Sequence, residues 1–273
     1  KNRKAIAKSI TKKIKEQGYT PNIPYIFKKQ KKDGGTRPIS IFQIHDAAIS
    51  NYYYKRLLSK NKHRFSSFSY AYRDDRNVHF AIQDIALELK KKPRMFIAEF
   101  DFSKFFDTID HTFLLKQLLE NGFLISKDEE YIINSFLNIQ EKKMGIPQGT
   151  SLSLFLANVT CWQLDRKLEN LGLRFARYAD DTLIWSNDYN KILKAFDVIE
   201  EFSKEAKVKI NYSKSEGISL LAAKGIPIEL IKNKEYVNFL GYKITSNSIG
   251  IKDESILKIK ERITSILYQN LLF

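Results

Sequence analysis

Apolar residues recur along this chain with two different periods. Over residues 45–58 and 78–89 they return every three to four positions, the spacing that lines one face of an α-helix. The same spacing predicts helices over 151–168, where Leu152, Phe155, Leu156, Val159 and Trp162 share a face, and over 190–206 and 255–272. Residues 1–17 read as a basic helix closed by Gly18, and Asp110 as the cap of a helix reaching Leu119. Short apolar runs at 23–27 and 38–41 flank Asp33-Gly34-Gly35 and predict a hairpin with a basic tip. Residues 95–100 read as a buried strand that ends on Asp101. Residues 173–178 and 182–185 read as two strands folded around Ala179-Asp180, and 236–244 as one more strand. This alternation of strand, helix, hairpin and helix predicts an α+β fold of the split βαβ kind, with helices on one face of the sheet.

Composition narrows the classes. With 273 residues, 43% of them hydrophobic, the chain can bury a core without staples. The 46 Lys and Arg against 31 Asp and Glu give a net charge of +15, which points to a polyanionic partner. The clusters at 28–32, 90–92 and the N-terminus are candidate phosphate contacts, though each alone reads as a solvated face. Cys161 is the sole cysteine, which excludes an internal disulfide and leads us to expect a reducing cytoplasm. No apolar run is long enough to span a bilayer, so no membrane partner is expected. His45, His63, His79 and His111 lack zinc-ligand spacing. Lys1-Asn2-Arg3-Lys4 lacks the apolar stretch of a signal peptide and an initiator Met, so residues upstream are expected.

Asp101 at a strand end and Asp180-Asp181 at a hairpin tip are the candidate chemistry. Any one aspartate alone reads as a turn residue. An acidic doublet between two apolar strands is different, because like charges held together call for a counter-ion. Carboxylates without His or Cys suit Mg²⁺, a hard ion that prefers oxygen. Two such ions ~3.5–4 Å apart serve in-line phosphoryl transfer, where catalysis is positioning plus charge stabilisation.

Seven segments then resemble, in order, the motifs of reverse transcriptases, particularly bacterial ones. They are Gly34-Gly35-Thr36-Arg37-Pro38-Ile39, Ser69-Tyr70-Ala71-Tyr72-Arg73 and Phe100-Asp101-Phe102-Ser103-Lys104-Phe105-Phe106-Asp107, followed by Gly145-Ile146-Pro147-Gln148-Gly149-Thr150-Ser151-Leu152-Ser153. Tyr178-Ala179-Asp180-Asp181, the segment 211–214 and Phe239-Leu240-Gly241-Tyr242 complete the series, which spans roughly 25–245. The resemblance implies a right-hand polymerase. Its fingers would comprise 1–93 and 110–147, its palm 94–109 and 148–247, and 248–273 would begin a short or incomplete helical thumb.

It also implies roles. Asp101, Asp180 and Asp181, with the Phe102 carbonyl, would hold two Mg²⁺ ions, for which Mn²⁺ can substitute. Arg37, whose fork pairs bidentately with phosphate oxygens, would meet the incoming triphosphate, assisted by Lys31 or Lys32. Gln148 would lie beside the sugar and template. Phe106 would be the steric gate against a 2′-hydroxyl, with one of Phe105 and Phe106 in the core. Lys214 would neutralise or protonate the departing pyrophosphate. Arg73, Tyr178, Phe239, Leu240 and Gly241 would contact primer and template. The implied partners are dNTPs, an RNA template and a DNA product, with room for a dedicated non-coding RNA, a second copy or a partner subunit.

Thr150-Ser151-Leu152-Ser153 departs from intron and retron patterns and looks more like abortive-infection and other defence-associated enzymes, which implies anti-phage DNA synthesis. Members of that group differ in template use. An RNA-dependent RNA polymerase is opposed by Ala179, where glycine is typical, and by the bulk of Phe106. A non-catalytic nucleic-acid scaffold is opposed by three clustered aspartates that would repel phosphate without metal.

Overall fold

The chain opens with α1 (Arg3–Lys15), the hairpin β1 (Tyr25–Gln30) and β2 (Thr36–Ile41), then α2 (Ile44–Asn61) and α3 (Val78–Lys90). β3 (Arg94–Phe100), β4 (Phe102–Ser103), α4 (Phe105–Thr108), α5 (His111–Glu120), α6 (Lys127–Leu137), α7 (Ser151–Thr160) and α8 (Trp162–Asn170) follow. Next come β5 (Arg174–Tyr178), β6 (Asp181–Ser186), α9 (Tyr189–Ala206), β7 (Lys209–Ile210), β8 (Gly217–Ala222) and β9 (Asn233–Lys234). β10 (Val237–Phe239), β11 (Tyr242–Ile244), β12 (Ile249–Ile251) and α10 (Asp253–Leu271) complete it. This computed structural model describes residues 3–31, 34–90, 92, 94–139, 142–215, 217–223, 225–228, 230 and 232–271; Lys1, Asn2, Lys32, Asp33, Lys91 and Leu272 of the sequence reading lie outside them.

The principal sheet runs β5-β6-β3-β8-β9, antiparallel except for β8 against β9. Successive residues of β3 serve opposite faces, as pleating requires. Phe96, Ala98 and Phe100 join the larger core with Phe175, Ile184, Ile192, Ile199 and Phe202, so α8 and α9 layer one face. Met95 and Ile97 join Leu183, Trp185, Ile82, Ile85 and Val237 in a second core, so α3 and the small β10-β11-β12 sheet cover the other. Among the described residues no helix is long and apolar enough to cross a membrane.

Besides short elements the pattern does not resolve (β4, α4, β7, β9 and β12), four differences have a readable cause. The helix predicted over 151–168 is two helices: the Cys161 amide bonds to both Ala157 and Val159 carbonyls, tightening the last turn of α7 before α8 sets off. The strand predicted over 236–244 is the hairpin β10-β11. Phe239 pairs with Tyr242, and Leu240 (φ +50°) and Gly241 (φ +85°) form the two-residue loop. Both loop residues have positive φ, the type I′ signature that the favoured Asn-Gly or Asp-Gly would have announced. α6 went unpredicted although Ser126 and Glu129 form a reciprocal capping box at its start. β8 was hidden because Gly217 and Ser219 interrupt its apolar run.

Candidate active site

Strand register brings the acidic residues together. Phe100 pairs with Thr182 across the β3–β6 ladder, so one further step sets Asp101 opposite Asp181. On the other edge of β6, Tyr178 pairs with Asp181 and leaves Ala179-Asp180 as the hairpin loop. Ala179 is held at φ +62°, a strained left-handed position for a residue with a Cβ. The loop that follows β7, the short strand paired with β4, then closes on Asp101. Asn211 donates from its backbone to the Asp101 carbonyl (2.8 Å) and from Nδ2 to Oδ2 (2.7 Å). Lys214 Nζ lies 3.2 Å from the same Oδ2.

The electrostatics describe a site built for cations. The Asp181 carboxyl is pushed up to about 7, first because the cleft strips its hydration, then because Asp180 and Asp101 repel its charge; it also shares a side-chain hydrogen bond with Asp101. Asp180 is raised by burial and by Asp101, against the pull of Arg37 and Lys214. Lys214 shows the complement. Loss of hydration works against its charge, yet the Asp101 hydrogen bond and all three carboxylates outweigh this and hold its pKa above the usual lysine range.

The neighbouring wall comes from segments far apart in sequence. Ser40 of β2 donates to the Gln148 carbonyl (2.6 Å), tying the hairpin that carries Arg37 to the Pro147-Gln148-Gly149 loop. A Cβ on Gly149, at φ +112°, would meet the Ser40 carbonyl at 2.5 Å, so only glycine permits this approach. That loop is stapled to the Asp101 segment: Gln148 Nε2 donates to Asp107 (3.2 Å), Ile146 to the Phe106 carbonyl (2.7 Å) and His111 Nε2 to the Gly145 carbonyl (2.6 Å). Phe106 is half-buried and meets Tyr72 edge-on at 6.4 Å and Phe105 at 5.9 Å. Tyr72 in turn packs on Tyr178 at 6.5 Å. Burial, and then the charge of Asp180, push the Tyr72 hydroxyl up to about 12, so the ring is neutral at physiological pH.

The donor set fits a hard divalent cation: Asp101 beside Asp180 and Asp181, whose carboxyls its charge helps to raise. Among the described residues no group of three or more His, Cys, Asp or Glu has the geometry of a closed ligand set.

A family model described as reverse transcriptase (RNA-dependent DNA polymerase) matches residues 29–244. The chain belongs to the reverse transcriptase family. Protein YkfC of Escherichia coli K12 is 24% identical over 170 residues, covering 59% of this chain and 44% of that protein. The group II intron-encoded protein LtrA of Lactococcus lactis subsp. cremoris is 27% identical over 277 residues, covering 97% of this chain and 45% of LtrA. The chain thus spans under half the length of these relatives. Apo telomerase from Candida tropicalis superposes with a TM-score of 0.62 over 91% of this chain and 53% of its own, at 15% identity. Telomerase from Candida albicans gives 0.59 over 90% and 49%, at 14% identity. The right-hand reverse transcriptase fold expected from the motifs is therefore the fold observed.

The remaining expected site residues divide. Asp101, Asp180, Asp181, Lys214 and Arg37 interact electrostatically, and Phe106, Tyr178 and Gln148 line the same region through the contacts above. Phe105 lies in the core, stacked on Phe102, while Phe106 packs against the edge of that core and is only half-buried. Phe102 is itself buried, which leaves its backbone rather than its ring to serve the site. Lys31 is exposed and closes the β1–β2 loop through backbone bonds with Gly34 and Gly35. Arg73 is spent on structure, forked to Asp75 and bonded to the Ser66 carbonyl (2.8 Å). Phe239 and Leu240 pack into the second core, and Gly241 turns beside Ser255. Sequence reasoning gave no role to Asn211, Tyr72, Asn158, Asp165 or Arg177. The available signal was Arg177 itself, a charge between apolar Phe175-Ala176 and the aromatic Tyr178 that must find a buried acid.

Proposed function

We propose that this chain is the polymerase core of an RNA-directed DNA polymerase, joining dNTPs to a 3′-hydroxyl or protein-hydroxyl primer. The observation that carries the reading is the convergence of Asp101, Asp180 and Asp181 beside the charges of Arg37 and Lys214. Bound Mg²⁺ would activate the attacking hydroxyl and neutralise the leaving oxygen; Asp101, Asp180 and Asp181, with the Phe102 carbonyl, are the residues to hold it. Arg37 orients the triphosphate, Gln148 lies beside the sugar and template, Phe106 excludes a 2′-hydroxyl, and Lys214 donates a proton or charge to pyrophosphate. Fingers comprise 1–93 and 110–147, palm 94–109 and 148–247, with the thumb beginning at 248. Arg73, Tyr178, Phe239, Leu240 and Gly241 support primer and template, Arg73 through the loop it braces.

The Thr150-Ser151-Leu152-Ser153 pattern favours a role in anti-phage defence. An intron or retron setting is the second reading, favoured by the match to LtrA across 97% of this chain; a structured RNA encoded beside the gene separates the two. The chemistry is tested by supplying Mg²⁺ and each labelled nucleotide, with and without co-purifying RNA. We expect dNTP incorporation that vanishes on Asp180→Asn with Asp181→Asn. Robust synthesis by that double variant, or exclusive use of rNTPs, would sink the reading.

A further inference from the structure

Arg177 is fully buried in the strand that leads into the acidic turn, and all five of its side-chain N–H groups have acceptors. Nε and Nη2 fork onto Asp165 at 2.6 Å each, and Nη2 also donates to Ser69 Oγ (2.8 Å). Nη1 donates to Asn158 Oδ1 (3.2 Å) and to the Ala179 carbonyl (3.0 Å). Asn158, equally buried, passes the network on by donating from Nδ2 to the Ala71 carbonyl (2.8 Å).

The two carbonyls gripped belong to the residues immediately before Asp180 and Tyr72. The first grip falls on a strained residue, Ala179 at φ +62°, and the second on the residue just before one, Tyr72 at φ +60°. Such left-handed conformations persist only where their surroundings over-determine them. Asp180 belongs to the cation site, and Tyr72 packs on Phe106 and Tyr178. A buried ion pair contributes little net stability compared with apolar packing, so stability alone is a weak reason to place this network here.

We infer that Arg177 and Asn158 are positioning residues of one buried clamp, which sets the cation-binding turn through the Ala179 carbonyl and the sugar-facing wall through the Ala71 carbonyl. The inference rests on the polymerase reading above. It predicts that the two halves can be loosened separately. Arg177→Lys keeps a cation opposite Asp165 but lacks the fork that reaches Ala179. Asn158→Leu keeps volume and releases Ala71; it also removes one acceptor of Arg177 Nη1, whose other bond, to the Ala179 carbonyl, remains.

Mn²⁺ binding, followed by calorimetry and electron paramagnetic resonance, and single-nucleotide kinetics per active site should be read together on folded protein. Arg177→Lys is expected to weaken Mn²⁺ binding and lower kcat by roughly 10- to 100-fold, the usual effect of removing an outer-shell partner. Asn158→Leu is expected to raise the dNTP KM and reduce the preference for dNTP over rNTP roughly tenfold or more, with Mn²⁺ binding unchanged. Variants that lose only thermal stability, with Mn²⁺ affinity, KM and sugar preference at wild-type values, would overturn the inference. So would Mn²⁺ binding by Arg177→Lys equal to that of the parent. A parent protein that binds Mn²⁺ but makes no DNA refutes the polymerase reading alone, and the Mn²⁺ comparison still decides the Arg177 half of the clamp.

Discussion

Replacing Gly149 by Ala separates the nucleotide wall from the carboxylates. The added Cβ would meet the Ser40 carbonyl at 2.5 Å and Ile39 Cγ2 at 3.1 Å, while ordinary contact begins at 3.4 Å. The shortfall against the carbonyl is 3.4 − 2.5 = 0.9 Å, and a backbone atom cannot swing aside as a flexible side-chain tip can. Two terms add. Holding Ala at φ +112° costs about 1–3 kcal/mol. Losing the Ser40–Gln148 bond removes about 0.5–1.5 kcal/mol more. The sum, about 1.5–4.5 kcal/mol, should lower Tm by roughly 3–9 °C at about 2 °C per kcal/mol for a chain of this size. The motion takes β2 and Arg37 away from the pocket, and a misplacement near 1 Å can cost ~10²-fold in catalysis. Steady-state kinetics should therefore show dNTP KM rising more than kcat falls, with Mn²⁺ affinity unchanged because β3 and β6 are untouched. Gly250→Ala is the control, since its nearest neighbour would be the Lys243 carbonyl at 3.8 Å and its φ is ordinary. If Gly149→Ala matched that control in both Tm and KM, the coupling of hairpin to pocket would be wrong.

Three further changes probe other parts of the molecule. Phe106→Ala removes the ring braced by Tyr72 and Phe105, and rNTP incorporation relative to dNTP should rise about 10- to 100-fold; unchanged sugar selectivity in competition assays would remove the gate assignment. Lys214→Ala should lower kcat by about 10²-fold or more, the usual contribution of a positioned proton donor, with little change in dNTP KM; a pure KM effect in single-turnover kinetics would make Lys214 a binding residue instead. Glu129→Gln leaves Lys60 and Arg56, now 2.7 and 2.8 Å from its carboxylate, without a charge partner. Because both cations reach solvent, we expect a loss of about 2–3 kcal/mol at pH 7, short of the ~3–5 of a fully buried pair. Burial works to raise the Glu129 carboxyl, but Lys60 and the Ser126 amide outweigh it and hold the pKa below the ordinary glutamate range. A depressed folded-state pKa stabilises the protein above the unfolded value and loses that effect as pH falls through the folded one. The stability gap between wild type and Glu129→Gln in urea unfolding should therefore shrink from pH 7 towards pH 3; a gap independent of pH contradicts this account of Glu129.

What could be read from sequence was whatever is encoded locally. A nearly continuous apolar run over 95–100 announced β3 as a buried strand, and an acidic doublet between two apolar runs announced the β5–β6 hairpin, because such runs and turn residues are written in adjacent positions. The motif series supplied the fold and the three aspartates. Spacing could not supply the pairing of Phe100 with Thr182, which makes Asp101 the neighbour of Asp181. It could not show the packing of Ser40 on Gly149 either, since that contact joins residues more than a hundred positions apart. Arg177 marks the boundary most clearly. Its charge within Phe175-Ala176-Arg177-Tyr178 demands a buried acceptor, so the existence of a network was deducible. Its partners Ser69, Asn158 and Asp165 were not, because they come from three separate segments that meet only when α7, α8 and the 66–72 loop pack behind β5. The same long-range packing holds Ala179 and Tyr72 in conformations their own side chains disfavour, so the strain at the site is local while its support is not.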